Sequence, residues 1–160
     1  MSSLPLDVAT AHEHFSVECF NEAWALLDRT DRSSEDDQRM IELCLASLWH
    51  WTQRRDCSDT NMSIGYWQAS RVYATLGLAG EAMRYATLCL EASNRPNVPA
   101  FYAGYAYEAM ARAAHVAGHL EAAREHLAES RTIAHGLTEP SHKEQLLADL
   151  DALDHRLGAT

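Results

Sequence analysis

Arg71 and Arg112 are the residues whose type and spacing most clearly suggest chemistry. They are 41 residues apart and occupy the same position in two similar stretches of the chain. A guanidinium group donates two parallel N–H bonds to a carboxylate, so two arginines on one surface suit an acidic group. Trp67 and Tyr105, close to these arginines in sequence, would supply the aromatic contacts that dominate many interfaces. These residue types predict a binding surface for a partner with acidic groups.

A structural interpretation of the same residues stays open. Glu108 precedes Arg112 by four residues, the spacing and order of an ordinary helix-surface ion pair that contributes roughly 0.2–0.5 kcal/mol. Tryptophan and tyrosine in stacked helices also belong more often to the core than to a contact surface. The exposure of these side chains decides between a groove and a core.

Nine histidines raise the question of a metal site. His115 and His119 have the i, i+4 spacing that places two ligands on one face of a helix. Gly118 interrupts that helix immediately before His119, so we expect the two side chains to diverge. His50 beside Trp51 fits a hydrogen-bonded core histidine, and no metal site is predicted.

Motifs of catalysis are missing from the sequence. There is no GxSxG, no GxxxxGK[ST] and no dinucleotide fingerprint, and Ser70 beside Arg71 has no context that would make it a nucleophile. We therefore expect neither an enzyme nor a cofactor. The alternative is a small-molecule binding protein or a hydrolase whose pocket is assembled from His50, Glu108, Arg112 and His115.

The formal charge of −10 and the pI near 5.2 narrow the classes of partner. Neutralisation of phosphates by Lys and Arg supplies most of the affinity for nucleic acids, so DNA, RNA and anionic membranes are not expected as partners. A chain of 160 residues can bury enough surface for one domain, which we assign to residues 1–160.

The cysteines and the N-terminus indicate a cytoplasmic protein. Cys19, Cys44, Cys57 and Cys89 are far apart and form no CxxC pair, so we interpret them as reduced thiols. The first residues carry no basic segment followed by a long apolar run, and no stretch reaches the length of a membrane span.

Apolar periodicity and capping signals predict seven antiparallel helices after a loose tail at residues 1–9. We expect helix 2 to be the central one, because it has almost no polar face. Helix 7 should be a terminal capping helix with a polar outer face that includes Asp149 and Arg156. Helix 1 should begin with a Thr10–Glu13 capping box and end near Arg29, and helix 2 should be capped by Ser33 or Ser34. Helix 3 should run from Ser63 to Leu76, helix 4 from Gly80 to Ser93, helix 5 from Pro99 at its first position to near Ala117, and helix 6 from Leu120 to just before Gly136. Helix 7 should begin with a Ser141–Glu144 capping box and carry an apolar stripe of Leu146, Leu150, Leu153 and Leu157.

Two stretches within residues 63–136 repeat one pattern. Superimposing Gly77 on Gly118 also superimposes Ala82 on Ala123. The chain thus resembles tetratricopeptide repeats, helix-turn-helix units with a glycine at the end of the first helix and small residues at fixed points in the second. The resemblance implies an all-α fold of antiparallel helix pairs stacked into a right-handed superhelix, with about seven helices and a C-terminal cap.

A closer resemblance is to a group of uncharacterised bacterial tetratricopeptide-like proteins. It rests on the segments 67–77 and 106–112 together with His50 and Trp51, and covers most of residues 45–153. The chain departs from that group with Ile64 before Gly65 and with Ala100 beside Phe101. This resemblance implies a fold but no activity.

The repeat register predicts which residues face a partner. In tetratricopeptide arrays the first helix of each pair lines a concave groove, so the resemblance implies a non-enzymatic scaffold that binds a protein or peptide segment there. A homodimer formed through exposed apolar surface on helix 1 or helix 7 is a further expectation. The predicted groove residues are Trp67, Arg71, Tyr105, Glu108, Arg112 and His115.

Overall fold

The computed structural model describes residues 7–158, and all regular secondary structure in this range is helical. The prediction of an all-α chain with seven helices is confirmed for these residues. The helices are α1 (Val8–Leu27), α2 (Ser34–Thr52), α3 (Asp59–Thr75), α4 (Ala79–Ser93), α5 (Ala100–Val116), α6 (Leu120–Gly136) and α7 (Pro140–Gly158). None of them is long and apolar enough to cross a membrane.

The helices are arranged in two layers. Each helix packs on the next one in the chain, and the odd-numbered helices also contact one another in series, α1 with α3, α3 with α5 and α5 with α7. The even-numbered helices make no contact with one another. The odd-numbered helices are therefore drawn together on one side of the described chain, while the even-numbered helices are spread apart on the other.

The turn between the helices of a pair has the same geometry in both repeats. Gly77 and Gly118 adopt φ values of 74° and 79°, a left-handed conformation that costs glycine little. After Gly77, the amide of Leu78 donates to the carbonyl of Tyr73 at 2.9 Å, and after Gly118 the amide of His119 makes the corresponding bond at 2.9 Å. Both helices thus end in the motif that the glycine positions predict.

Packing within each pair is also repeated. The Cys89 thiol contacts the carbonyl oxygen of Ser63 at 3.3 Å, and the Ser130 hydroxyl donates to the carbonyl of Gly104 at 2.7 Å. These pairs of residues are equivalent under the 41-residue offset. Burial raises the pKa of the Cys89 thiol to about 11, so this cysteine acts as a packing residue.

The N-terminal helix begins earlier than predicted. Asp7 is its N-cap and accepts a hydrogen bond from the amide of Ala9 at 3.2 Å, while the Thr10 hydroxyl donates to the Asp7 carboxylate. The Thr10–Glu13 capping box is therefore wrong. Residues 7–9 belong to the cap and first turn of α1 rather than to the predicted tail, and residues 1–6 lie outside the described range.

The centre of the molecule is α3 and α5, and the prediction that helix 2 is central is wrong. Helix α2 contacts only α1 and α3, and its Trp49 is 56% exposed. Helices α3 and α5 each contact four other helices and are the most buried. Glycines allow neighbouring helices to approach α3 and α5 closely. A Cβ atom at Gly65 of α3 would meet Leu48 of α2, and one at Gly104 of α5 would meet Leu146 of α7.

Other predicted helix starts also shift. Helix α3 begins at Asp59, four residues before Ser63, because Ser58 and Asn61 form a capping box. Pro99 is the N-cap of α5 instead of its first residue. Ser141 lies inside the first turn of α7 and its hydroxyl donates to Glu139 at 3.1 Å, so the predicted Ser141–Glu144 box is replaced.

The leucine stripe of α7 is confirmed. All four predicted leucines are buried and pack in one core cluster with residues of α5 and α6. At the other end of the chain, apolar side chains of α1 such as Phe15 and Val17 are 44% exposed, near the exposed Trp49 of α2. Self-association through these side chains stays a prediction.

Candidate binding site

Five of the six predicted groove residues lie together where α3 packs on α5. Two of them are more buried than a contact surface requires, since Glu108 is fully buried and Tyr105 is 8% exposed. Trp67, Arg71 and Arg112 are partly buried and retain access to solvent. The site is therefore a mixture of core and surface, and each residue has to be assigned separately.

Glu108 connects the two repeats. Its Oε2 atom accepts a hydrogen bond from the Trp67 indole nitrogen at 2.9 Å, and its Oε1 atom forms an ion pair with the Arg112 guanidinium. The Glu108 and Arg112 side chains are 1% and 12% exposed. The interpretation of Glu108 and Arg112 as an ordinary surface pair is therefore wrong, because both charges are withdrawn from water and depend on each other.

Arg71 has no such partner. Its guanidinium carbon lies 5.9 Å from the ring centroids of both Trp24 and Trp67, and it makes no hydrogen bond or ion pair with any residue from 7 to 158. Burial and the charge of Arg112 lower the Arg71 pKa, and the charge of Glu108 only partly opposes this effect. Because Arg71 keeps access to solvent and has no acceptor among residues 7–158, its guanidinium group is open to an anion from outside the described chain.

A third arginine comes from α7. Arg156 is exposed as a whole residue, but partial burial of its charged end and the charge of Arg112 lower its pKa. Asp149 of the same helix opposes the lowering of the pKa for both Arg71 and Arg156. Three guanidinium groups, from α3, α5 and α7, thus lie near the carboxylates of Glu108 and Asp149. This cluster has one net positive charge, although the protein as a whole is strongly acidic.

A pocket of about 170 Å³ opens beside the arginines. Its ionisable groups are Tyr102, Tyr105 and Asp149, and the Tyr105 hydroxyl donates to Asp149 Oδ2 at 2.5 Å. Burial and this bond to a carboxylate raise the Tyr105 pKa well above its usual range. The pocket is lined by Ser63, Ile64, Trp67, Phe101, Tyr102, Tyr105, Gln145 and Asp149.

His115 is the sixth predicted residue and does not join the others. It makes no hydrogen bond, ion pair or ring contact with the other five, and its buried Nδ1 atom has no hydrogen-bond partner within the described range. The Nε atom of Arg112 is likewise buried without a partner. His115 therefore contributes to the end of α5 rather than to the arginine cluster.

The alternative pocket around His50 is not assembled. His50 lies on α2, which makes no contact with α5, the helix that carries Glu108, Arg112 and His115. The partner of His50 is instead His12 of α1, with the two Nδ1 atoms 2.8 Å apart. In residues 7–158 no group of three or more His, Cys, Asp or Glu side chains is placed to hold a metal ion.

The contributions of α1 and α7 to this site were not predicted from the sequence. Trp24 is not among the predicted site residues, and the polar face of α7 that carries Asp149 and Arg156 lies partly toward α5. The sequence does hold a signal for α7, because Asp149 and Arg156 are seven residues apart and flank the leucine stripe on the same side of the helix.

Comparison with protein-family models, with curated proteins and with solved structures finds no match to this chain.

Proposed function

We propose that this protein is a non-enzymatic, tetratricopeptide-like scaffold that binds a protein or peptide segment along the surface of α1, α3, α5 and α7. An acidic group of the bound segment pairs with Arg71, and Arg112 and Arg156 add to the positive field at that point. The Trp67 ring and the adjacent pocket receive an apolar part of the same segment.

The layer arrangement supports the superhelical part of this proposal. Contacts between successive odd-numbered helices, together with their absence between even-numbered ones in the described chain, are what an array curved toward the odd-numbered layer requires. The repeated glycine turns and the repeated contacts of Cys89 and Ser130 support a common repeat unit. In such an array the concave side is formed by α1, α3, α5 and α7.

The unpaired state of Arg71 carries the functional part. Its charge is partly withdrawn from water, lies near two other arginines and has no acceptor in the described chain. A carboxylate from a partner would supply both the opposite charge and the missing hydrogen bonds, and hydrogen bonds to charged groups contribute roughly 1.5–3 kcal/mol. The net charge of −10 disfavours nucleic acid as the source of that anion.

A small-molecule or hydrolase function has less support. The pocket at this site, of about 170 Å³, is smaller than the roughly 300 Å³ at the lower end of ligand sites. Its lining also includes none of the four residues from which the alternative pocket was predicted. A groove with one small apolar pocket and one cationic residue, Arg71, fits a peptide that places one apolar and one acidic side chain at these two positions.

The test uses Arg71→Gln and the matched control Arg124→Gln, an exposed arginine of α6 in the other layer. Peptides selected from a display library by the wild-type protein are measured by fluorescence anisotropy against all three proteins. We expect Arg71→Gln to weaken the binding of acidic peptides at least tenfold, about 1.4 kcal/mol, and Arg124→Gln to change it little. Equal affinities for all three proteins, or failure to select any acidic peptide, would refute the proposal.

Arg71 is preferred to Arg112 for this experiment because of Glu108. Removal of Arg112 would leave the fully buried Glu108 carboxylate without its ion-pair partner, so lost binding could reflect lost folding. Arg156→Gln provides a second independent variant, since this residue is exposed and makes no ion pair in residues 7–158. We expect it to weaken the same peptides by a smaller factor than Arg71→Gln.

A further inference from the structure

Four aromatic side chains line the pocket beside the arginines, and three of them contact one another. Trp67 and Tyr105 meet edge to face with ring centroids 5.3 Å apart and an interplanar angle of 77°, and Phe101 meets Tyr105 in the same way at 5.1 Å. The three rings are therefore not stacked on one another and present faces and edges to the recess. Such a surface suits another ring, which gains both face and edge contacts.

The size of the pocket limits the occupant to one ring. Its volume of about 170 Å³ is close to the roughly 150 Å³ of a cavity known to accept benzene. A single six-membered ring or an indole placed partly in the open mouth fits, whereas a larger ligand does not. The pocket thus matches one aromatic side chain of a bound segment.

Asp149 determines which ring is preferred. Tyr105 occupies its Oδ2 atom, which leaves the other carboxylate oxygen able to accept a hydrogen bond. The adjacent Gln145 amide is exposed and adds a second polar group at the same edge of the pocket. A ring that carries a hydrogen-bond donor would satisfy this edge, and a plain phenyl ring would not.

An ammonium group is the competing occupant, since aromatic walls and a carboxylate also suit a cation. The arginines argue against it. Arg71 lies over the Trp67 ring that forms one wall, and the charge of Asp149 already acts on both Arg71 and Arg156. A further positive charge would therefore be repelled by two guanidinium groups and attracted by a carboxylate that they partly neutralise.

We infer that the pocket accepts a phenol or indole ring, with its O–H or N–H directed at Asp149, from a tyrosine or tryptophan next to the acidic residue of the bound segment. The position of the acidic residue rests on the proposed function. The preference of the pocket for a ring with a donor does not, because it depends only on the pocket walls and Asp149.

Small probes test this preference by NMR on the whole protein. The indole N–H signal of Trp67, identified by its loss in Trp67→Phe, reports occupancy next to the pocket. The probes are 4-hydroxyphenylacetate, phenylacetate, cyclohexylacetate, tyramine and p-cresol. We expect 4-hydroxyphenylacetate to bind about tenfold more tightly than phenylacetate, with cyclohexylacetate weaker still, tyramine at least tenfold weaker than 4-hydroxyphenylacetate, and p-cresol to shift the Trp67 signal without any carboxylate.

Two variants separate this inference from the proposed function. Asp149→Leu should abolish the advantage of 4-hydroxyphenylacetate over phenylacetate, and Arg71→Gln should weaken both carboxylates equally while leaving p-cresol unchanged. Tighter binding of tyramine would make the pocket an ammonium site, equal binding of the three acetates would make it a mere apolar recess, and no effect of p-cresol would exclude ring binding. Each of these results overturns the inference, and the probe series on the wild type decides it even when Asp149→Leu does not fold.

Discussion

Glu108 tolerates substitution least among the residues of the candidate site, because it is fully buried and its carboxylate is bound on both oxygens. Its Trp67 and Arg112 partners come from successive repeats. Trp67 and Glu108 are themselves equivalent under the 41-residue offset, so one position has been used for the donor in one repeat and for the acceptor in the next. This division of roles fixes the relative position of α3 and α5 and thereby holds Arg71 beside Arg112.

Arg112→Met should lower the free energy of unfolding by about 3 kcal/mol, because it leaves a buried carboxylate without its cation. The double variant Glu108→Gln with Arg112→Met should lose less than the sum of the two single losses, since the second change removes the uncompensated charge. Urea unfolding followed by tryptophan fluorescence gives the free energy of unfolding of the wild type, the two single variants and the double variant. Additive losses would mean that the two side chains do not depend on each other.

The His12–His50 pair predicts a dependence of stability on pH. Burial, and after it the charge of His12, lower the His50 pKa below its ordinary value of 6.5. The unfolded chain therefore takes up this proton more readily than the folded one, so stability is present above pH 6.5 and is lost as the pH falls below it. The urea midpoint should fall between pH 7 and pH 5 less steeply in His50→Gln than in the wild type. The exposed His14→Gln on α1 is the control, and identical slopes in all proteins would contradict the assignment.

At the scale of the helices, the ends at Gly77 and Gly118 and the cap at Ser33 could be predicted, whereas the starts of α1 and α3 could not. Glycine adopts a positive φ at low cost, so few residues other than Gly77 and Gly118 could end these two helices in a left-handed turn. At the start of α1, both Asp7 and Thr10 are acceptable caps. The longer helix gains an extra turn by using Asp7, and the local pattern could not reveal that preference.

Two glycines three residues apart in the chain should respond to alanine in opposite directions. Gly77→Ala should lower the free energy of unfolding by about 1 kcal/mol, because φ is 74° there although the space around it is open. Gly80→Ala should raise it by roughly 0.4–1 kcal/mol, because the residue is helical, exposed and equally free of contacts. Thermal and urea unfolding of both variants measure the difference. A loss in Gly80→Ala would indicate a contact of α4 that the open surface does not suggest.

The candidate site was predictable to the extent that the repeat register defines it. The 41-residue offset correctly brings Trp67, Arg71, Glu108 and Arg112 into one cluster. Burial of Glu108 could not be predicted, because it depends on how closely α3 approaches α5. The contribution of Asp149 and Arg156 depends on the rotation of α7 about its own axis, which the leucine stripe determines only within a wide face.

At the scale of the whole molecule, helices contact only their first and second neighbours along the chain. No contact joins the two ends of the described range directly, so stability should be distributed as in a linear array in which each end can loosen while the other stays folded. This arrangement links structure to the proposed groove. Asp149 and Arg156 belong to α7, the last helix of the described range, so the site loses two of its charged groups whenever α7 detaches.

Leu150→Ala should show this directly. Loss of a fully buried leucine costs about 3 kcal/mol, and here the cost falls on the contact of α7 with α5 and α6. Hydrogen exchange followed by mass spectrometry should therefore accelerate most in α7, next in α6 and α5, and least in α1 and α2. Met40→Ala, which removes a fully buried side chain of α2, is the matched control and should produce the reverse gradient. Uniform acceleration in both variants would show that the chain unfolds as one unit, because a linear array with only neighbour contacts confines each loss to the end where it is made.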